Sequence, residues 1–212
     1  MRKIFFATVL ALIMSIQNFC GAATIESANF NGNDKLIYPV VHTGDAAIDD
    51  KINGKIQTEI QSFVKGLHYA AQYDGQRVAG AYTNYEVACN QAGNTVILSL
   101  LITESSYFEG AAHPSTYKHA LNFNVGSGNL MGLDYLTDVG EGVSVDEIKA
   151  RVERALIRQC ERDGLKLFDD ALPLKQLPEH FYWDANLHVH FIFQQYEVAP
   201  YAAGIIDVDI DA

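Results

Sequence analysis

The amino-acid sequence predicts an α+β fold, an antiparallel sheet meander with two main helices packed on one face. Three observations carry this expectation. Two long stretches place apolar residues at the three- and four-residue steps of an amphipathic helix. Strand-like segments between them are separated by short turns rich in Gly and Asn. The resulting order of helix, hairpins, helix and hairpin belongs to the α+β class.

The elements follow in chain order. "KLIYPVV", residues 35–41, reads as a first strand, and Pro39, which has no N–H to give a ladder, places it at an edge or a bulge. Asp45 or Asp49 can cap a helix whose apolar stripe comprises Ile48, Ile52, Ile56, Ile60, Phe63, Val64 and Leu67. Residues 82–90 and 95–107 form a hairpin around Gln91-Ala92-Gly93-Asn94, where Gly and Asn tolerate positive φ. In the next strand Tyr117, His119, Leu121, Phe123 and Val125 share one face and Thr116, Lys118, Ala120, Asn122 and Asn124 the other, before a Gly126-Ser127-Gly128-Asn129 turn. One sheet face is then apolar enough to receive a helix, and the opposite face polar. Ser144-Val145-Asp146-Glu147 is a capping box that starts a second helix, and Asp163-Gly164 ends it. Strands over residues 186–193 and 205–210, joined by an aromatic loop, close the chain.

Composition narrows the function classes. With 49% hydrophobic and 19% charged residues among 212, the chain can bury a sizeable core and is not a disordered tract. Arg2, Lys3, the apolar run 4–16 and the small residues Cys20, Gly21, Ala22 and Ala23 form a signal peptide, residues 1–23, with cleavage expected after Ala22 or Ala23. The apolar run is too short for a mature transmembrane helix, and Phe19 disfavours lipidation at Cys20. The mature part, residues 24–212, is expected to be one unit with a strand-helix segment over 24–80 and a sheet-rich segment over 81–212. Loss of Arg2 and Lys3 leaves 13 basic against 26 acidic side chains, a net charge of −13. Nucleic acid is thereby disfavoured as a partner and a basic protein favoured. Export also leaves Cys89 and Cys160 as an even pair in an oxidising compartment, which predicts a disulfide; the alternative is two buried thiols.

Catalytic and metal chemistry find little support. His188 and His190 could place two imidazoles beside a metal, but no third ligand stands at a recognised spacing. Asp207, Asp209 and Asp211 alternate along a flat strand, whereas Ca²⁺ prefers ligands that wrap around it. No nucleophile elbow, zinc-protease helix or phosphate loop is present. Neither a cofactor nor a metal is expected. The corner "FEGAAHP", ahead of the strand that carries His119, poses the main choice between a catalytic loop and a shaped surface. Gly110 permits a tight bend and Pro114 restricts His113 to extended backbone, which describes a rigid turn.

"EGAAHPSTYKHALNFNVGSGNLMGLDYLTD", from Glu109 to Asp138, resembles the Gly-Gly-Ala-His-Pro, aromatic strand and Leu-x-Asp-Leu pattern of a domain of unknown function in the extracellular part of RsiV-type anti-sigma factors. "FIFQQYEVAPYAAGIIDVDI", from Phe191 to Ile210, is similar to that domain's closing signature. Residues 38–66 resemble the segment that precedes it, which is also found beside the catalytic domain of PdaC-type peptidoglycan deacetylases. Where the family has Gly-Gly, this chain has Gly110-Ala111.

The resemblance implies a non-catalytic envelope module, since the RsiV-type domain captures lysozyme with loops that enter its active-site cleft. Neither a sigma-binding segment nor a deacetylase region accompanies it here. The expected function is therefore recognition of a basic, lysozyme-like protein or of peptidoglycan. The candidate binding residues are Glu104, Glu109, Gly110, His113, Pro114, Gln194, Gln195, Tyr196, Glu197 and Tyr201, while Pro200 and Gly204 are expected to serve packing. A cell-wall hydrolase using a pair from His113, Glu109 and Glu197, or a purely structural envelope domain, are the alternatives.

Overall fold

The computed structural model describes residues 22–91, 93, 96–138 and 143–212. The signal segment lies outside them except for Ala22 and Ala23, and so do Ala92 and Asn94 of the turn at 91–94. The expected α+β class is found, but the described residues form three antiparallel sheets in place of one meander.

The first sheet pairs β1 (Thr24–Asn29) with β2 (Ile37–His42), setting Ser27 opposite Pro39. With only two strands, this sheet gives Pro39 the edge position that its missing N–H demands. Asp45 caps α1 (Ala46–Tyr73) by accepting from the N–H groups of Ala47 and Ile48. Asp49 instead binds the backbone N–H and hydroxyl of Thr43, both at 2.6 Å. Ile52, Ile56 and Ile60 are fully buried. Beyond Ile60 the stripe is only half-buried, and the helix runs out to Tyr69 and Tyr73, exposed rings with centroids 4.8 Å apart.

The second sheet is ordered β3 (Val78–Asn90), β4 (Ile97–Phe108), β5 (Ser115–Asn124), β6 (Asn129–Leu130). Leu98, Leu100 and Ile102 on β4, with Phe123 on β5 and Val125 just after it, meet the Ile stripe of α1. Leu101 points to the opposite face, where it packs on Tyr182 and Ile192 of the third sheet. That second cover explains why β4 is apolar on both faces and why the expected polar face is only partly solvated.

After the short α2 (Asp134–Asp138), Ser144 caps α3 (Val145–Asp163) by accepting from Glu147 N–H, and Gly164 closes it in the left-handed region at φ 65°. The capping box is half formed, because the Glu147 carboxylate turns to Arg151, four residues on, at 2.7 Å. The third sheet comprises β7 (His180–Trp183), β8 (Val189–Phe193) and β9 (Ile206–Asp209). Ile148, Val152, Ala155 and Leu156 of α3 pack on its Phe181, Phe191, Phe193, Ile206 and Val208. The two long helices thus do not share one face; each covers its own sheet.

Cys89 and Cys160 are free thiols, which corrects the expected disulfide. Both lie in the core between α3 and the third sheet, where Cys160 continues the buried stripe of the helix. They serve as small apolar side chains, and burial pushes both thiols up from their ordinary pKa. Among the described residues no helix is long and apolar enough to cross a membrane.

Two side-chain amides complete strand edges. Asn53 on α1 accepts from Val41 N–H and donates to Val41 C=O, both at 2.8 Å. Asn90 does the same for Ala23, at 3.0 and 2.8 Å. Each amide offers a backbone residue one donor and one acceptor, as a neighbouring strand would.

Candidate functional site

The two sequence segments that suggested a shaped surface meet in space. Gly110, at φ 83°, turns the chain out of β4, and Pro114 leads into β5. His113 Nδ1 donates to Pro114 C=O at 3.1 Å, which leaves Nε2 to accept from the Tyr196 hydroxyl at 2.9 Å. The Tyr201 ring stacks on the imidazole with centroids 3.6 Å apart. Both ring nitrogens of His113 are therefore engaged, Nδ1 within its own corner and Nε2 in holding one loop to the other.

Gln194 and Gln195 fix the second loop from below. Gln194 accepts from Lys118 N–H at 3.0 Å and donates to Lys118 C=O at 2.8 Å, a third amide clasp of the kind made by Asn53 and Asn90. Gln195 accepts from Thr116 N–H and His180 Nδ1 from Ala120 N–H, so three alternate N–H groups along the outer edge of β5 end on side chains. An open edge would present these groups to another strand. Replacing Gln194 with alanine is expected to cost about 1–3 kcal/mol by orphaning both Lys118 groups. Urea unfolding would register this as a lower midpoint at unchanged slope.

Tyr196 occupies the tip. It adopts φ 65°, a left-handed conformation that is unfavourable for a bulky residue, and its side chain is 54% exposed. The turn beneath it is closed by Glu197 N–H donating to Gln194 C=O and by Gln194 N–H donating to the Glu197 carboxylate at 2.7 Å. Burial raises the Glu197 pKa, the Gln194 bond opposes it, and the Glu179 charge adds to it. Gly204, at φ 69° and ψ −150°, stands where only glycine is comfortable, and Pro200 precedes the 3-10 turn that carries Tyr201.

The remaining candidate residues separate. Glu109 lies beside this corner and is paired with Arg77 at 3.2 Å, an exposed contact of small energetic weight. Glu104 is not a loop residue: it lies on β4, is 8% exposed, and its Oε2 meets His119 Nε2 at 3.2 Å. It is therefore removed from the recognition surface. Glu59, Glu104 and His119 form the one group of His and carboxylate ligands among the described residues whose donor atoms lie within 4.8 Å of one another.

His188 and His190 are bound to the aspartates of β9 and do not point freely into solvent. His188 Nδ1 meets Asp209 at 3.0 Å and His190 Nδ1 meets Asp207 at 2.9 Å, while Tyr182 donates to Asp207 at 2.7 Å. Burial pulls His190 toward neutrality, but the Asp207 hydrogen bond and the charges of Asp207, Asp209 and Asp184 outweigh it and hold its pKa above the ordinary value. A histidine raised on folding stabilises fully below its unfolded pKa of about 6.5, and that stabilisation is lost as pH rises through the folded value. His180, lowered first by burial and then by His119, acts in the opposite sense, but it is common to wild type and variant. His190→Gln is therefore expected to flatten the decline in urea midpoint as pH rises above about 6.5.

Residues 139–212 match the family model described as a protein of unknown function, DUF3298. This part of the chain is similar to DUF3298 proteins. It contains α3, the third sheet and the Tyr196 loop, and thus the closing signature read from the sequence. The His113 corner precedes it, so the joined site is built half from the matched segment and half from the strands ahead of it. A DUF3298 family protein from Pseudomonas aeruginosa PAO1 superposes with a TM-score of 0.56 at 12% identity, covering 89% of this chain and 88% of that one. A member from Bacteroides fragilis NCTC 9343 gives a TM-score of 0.49 at 18% identity, covering 88% and 87%. The Pseudomonas likeness shows an overall fold shared across the sheets of this chain. No curated protein matches the sequence.

Proposed function

We propose that this chain is an exported cell-envelope module that binds a basic, lysozyme-like protein by occlusion, without catalysis, through the joined His113 and Tyr196 loops. The observation that carries this reading is Tyr196: an exposed aromatic held in a strained conformation by a partner loop, next to Gln194 and Gln195, whose side chains are fixed to a strand edge. Strain of this kind is retained where the surroundings over-determine it, and rigid tyrosines are effective anchors because little rotamer freedom is lost on binding. The engagement of both His113 nitrogens weighs against its use as a general base. The acidic balance of the chain would speed encounter with a cationic partner.

Calorimetry with a basic lysozyme at low and physiological salt tests the reading. Stoichiometric binding that weakens with salt is expected. Binding to isolated peptidoglycan in its place would redirect the module to cell-wall glycan, and no binding to either would leave a structural role.

The Asn90 clasp also bears on processing. Ala23 is buried and held through both backbone groups, so cleavage after Ala22 preserves the contact and cleavage after Ala23 deletes it. Intact mass of the exported protein is expected to report a chain that starts at Ala23.

A further inference from the structure

We propose that Glu59, Glu104 and His119 form a binding site for one divalent transition-metal ion, with zinc the best match to the ligand set. The three residues come from α1, β4 and β5, on the sheet face that α1 covers. His119 Nδ1 lies 3.0 Å from Glu59 Oε1, and Nε2 lies 3.2 Å from Glu104 Oε2. The second Glu104 oxygen, Oε1, is fully buried and has no hydrogen-bond partner.

Charge balance argues for a dication here. Two carboxylates around an imidazolium leave one net negative charge in a largely buried site, with an orphaned acceptor beside it. Such a charge is costly to bury, and an unsatisfied oxygen on a charged group adds to the cost. A divalent ion with a neutral imidazole brings the same three side chains to zero net charge and gives Glu104 Oε1 a partner.

The donor set selects the ion. One imidazole nitrogen with carboxylate oxygens suits zinc or manganese better than calcium, which prefers six or more oxygens. Zinc bonds of about 2.0–2.2 Å place tetrahedral ligands roughly 3.3 Å apart. The donor atoms here lie within 4.8 Å of one another, so a movement on the order of an ångström closes the site, and Glu59, at 27% exposed, is the side chain free to make it. His180, 5.1 Å from His119 by ring centroids, uses Nδ1 to accept from Ala120 and so carries its proton on Nε2. It therefore stands beside the ion without ligating it, and solvent completes the coordination.

The site shares no side chain with the His113 and Tyr196 corner, so either assignment can fail alone. The test is calorimetric titration of chelator-treated protein with Zn²⁺, and separately with Mn²⁺ and Ca²⁺. One equivalent of Zn²⁺ is expected to bind, more tightly than Ca²⁺, and to raise the melting temperature. Glu104→Gln and Glu59→Gln should each weaken zinc binding by at least about 10-fold, while His68→Gln, on the exposed surface of α1, should leave it unchanged. Melting in chelator shows whether Glu104→Gln remains folded, and the rim variant Glu59→Gln stands if it does not. Absence of stoichiometric zinc binding would overturn the proposal. So would binding that survives both glutamine variants but is lost in His190→Gln, which would move the ion to the histidines of β8.

Discussion

Phe191→Ala is expected to lower the free energy of unfolding by about 3–5 kcal/mol, the range found when a buried phenylalanine is truncated and its cavity only partly collapses. Phe191 is fully buried on the central strand of the third sheet, with the Phe181 ring at 5.8 Å, in the core that receives α3. Relaxation is limited there, because β8 is hydrogen-bonded on both sides, to β7 and to β9. Urea unfolding should show a much lower midpoint. A loss below about 1 kcal/mol, typical of surface substitutions, would mean that the third sheet does not unfold with the rest of the chain.

Tyr196→Ala is expected to leave the fold nearly intact and to reduce affinity for a basic lysozyme by roughly 30-fold or more, the loss of an aromatic anchor worth at least about 2 kcal/mol. The side chain is mainly exposed, so little core packing is removed. Its hydroxyl does hold His113 Nε2, and Tyr196→Phe separates the two contributions. If the ring is the anchor, the phenylalanine variant keeps most of the affinity; if the hydrogen bond sets the shape of the corner, both variants lose it. Equal affinity in all three proteins would remove Tyr196 from the interface.

The legible parts of the fold were those with a strong period. The Ile stripe announced α1, the Ser144 cap and Gly164 announced α3, and the alternation around Leu100 and Leu121 announced the central hairpin. β1 was not legible, because "TIESAN" offers a single large apolar residue, Ile25. β7 was missed for the opposite reason: "HFYW" runs three large aromatic residues together without alternation, and its two faces are covered by different layers. The cysteine pairing failed because an even count says nothing about where two side chains point, and Cys160 was simply the next buried position of its helix.

At the candidate site, Gly110 and Pro114 made the corner readable because their backbone limits are local. The meeting of His113 with Tyr196 and Tyr201 was visible only as two signatures with no stated contact. Gln194 and Gln195 had the chemistry of recognition residues, but their work along the edge of β5 depends on which strand edge faces them. Glu104 has the charge of a recognition residue, but β4 continues through Glu104-Ser105-Ser106 to Phe108 and turns this carboxylate inward to His119. Glu59, Glu104 and His119 come from three elements with no spacing rule to connect them.

The most direct measurement of the central claim is muramidase turnover of a basic lysozyme, recorded at physiological salt against increasing amounts of this protein and of its Tyr196→Ala variant. Occlusion by the joined loops predicts that turnover falls to zero near one equivalent of wild type and persists with the variant. Turnover that is unaffected by excess wild-type protein would contradict the claim.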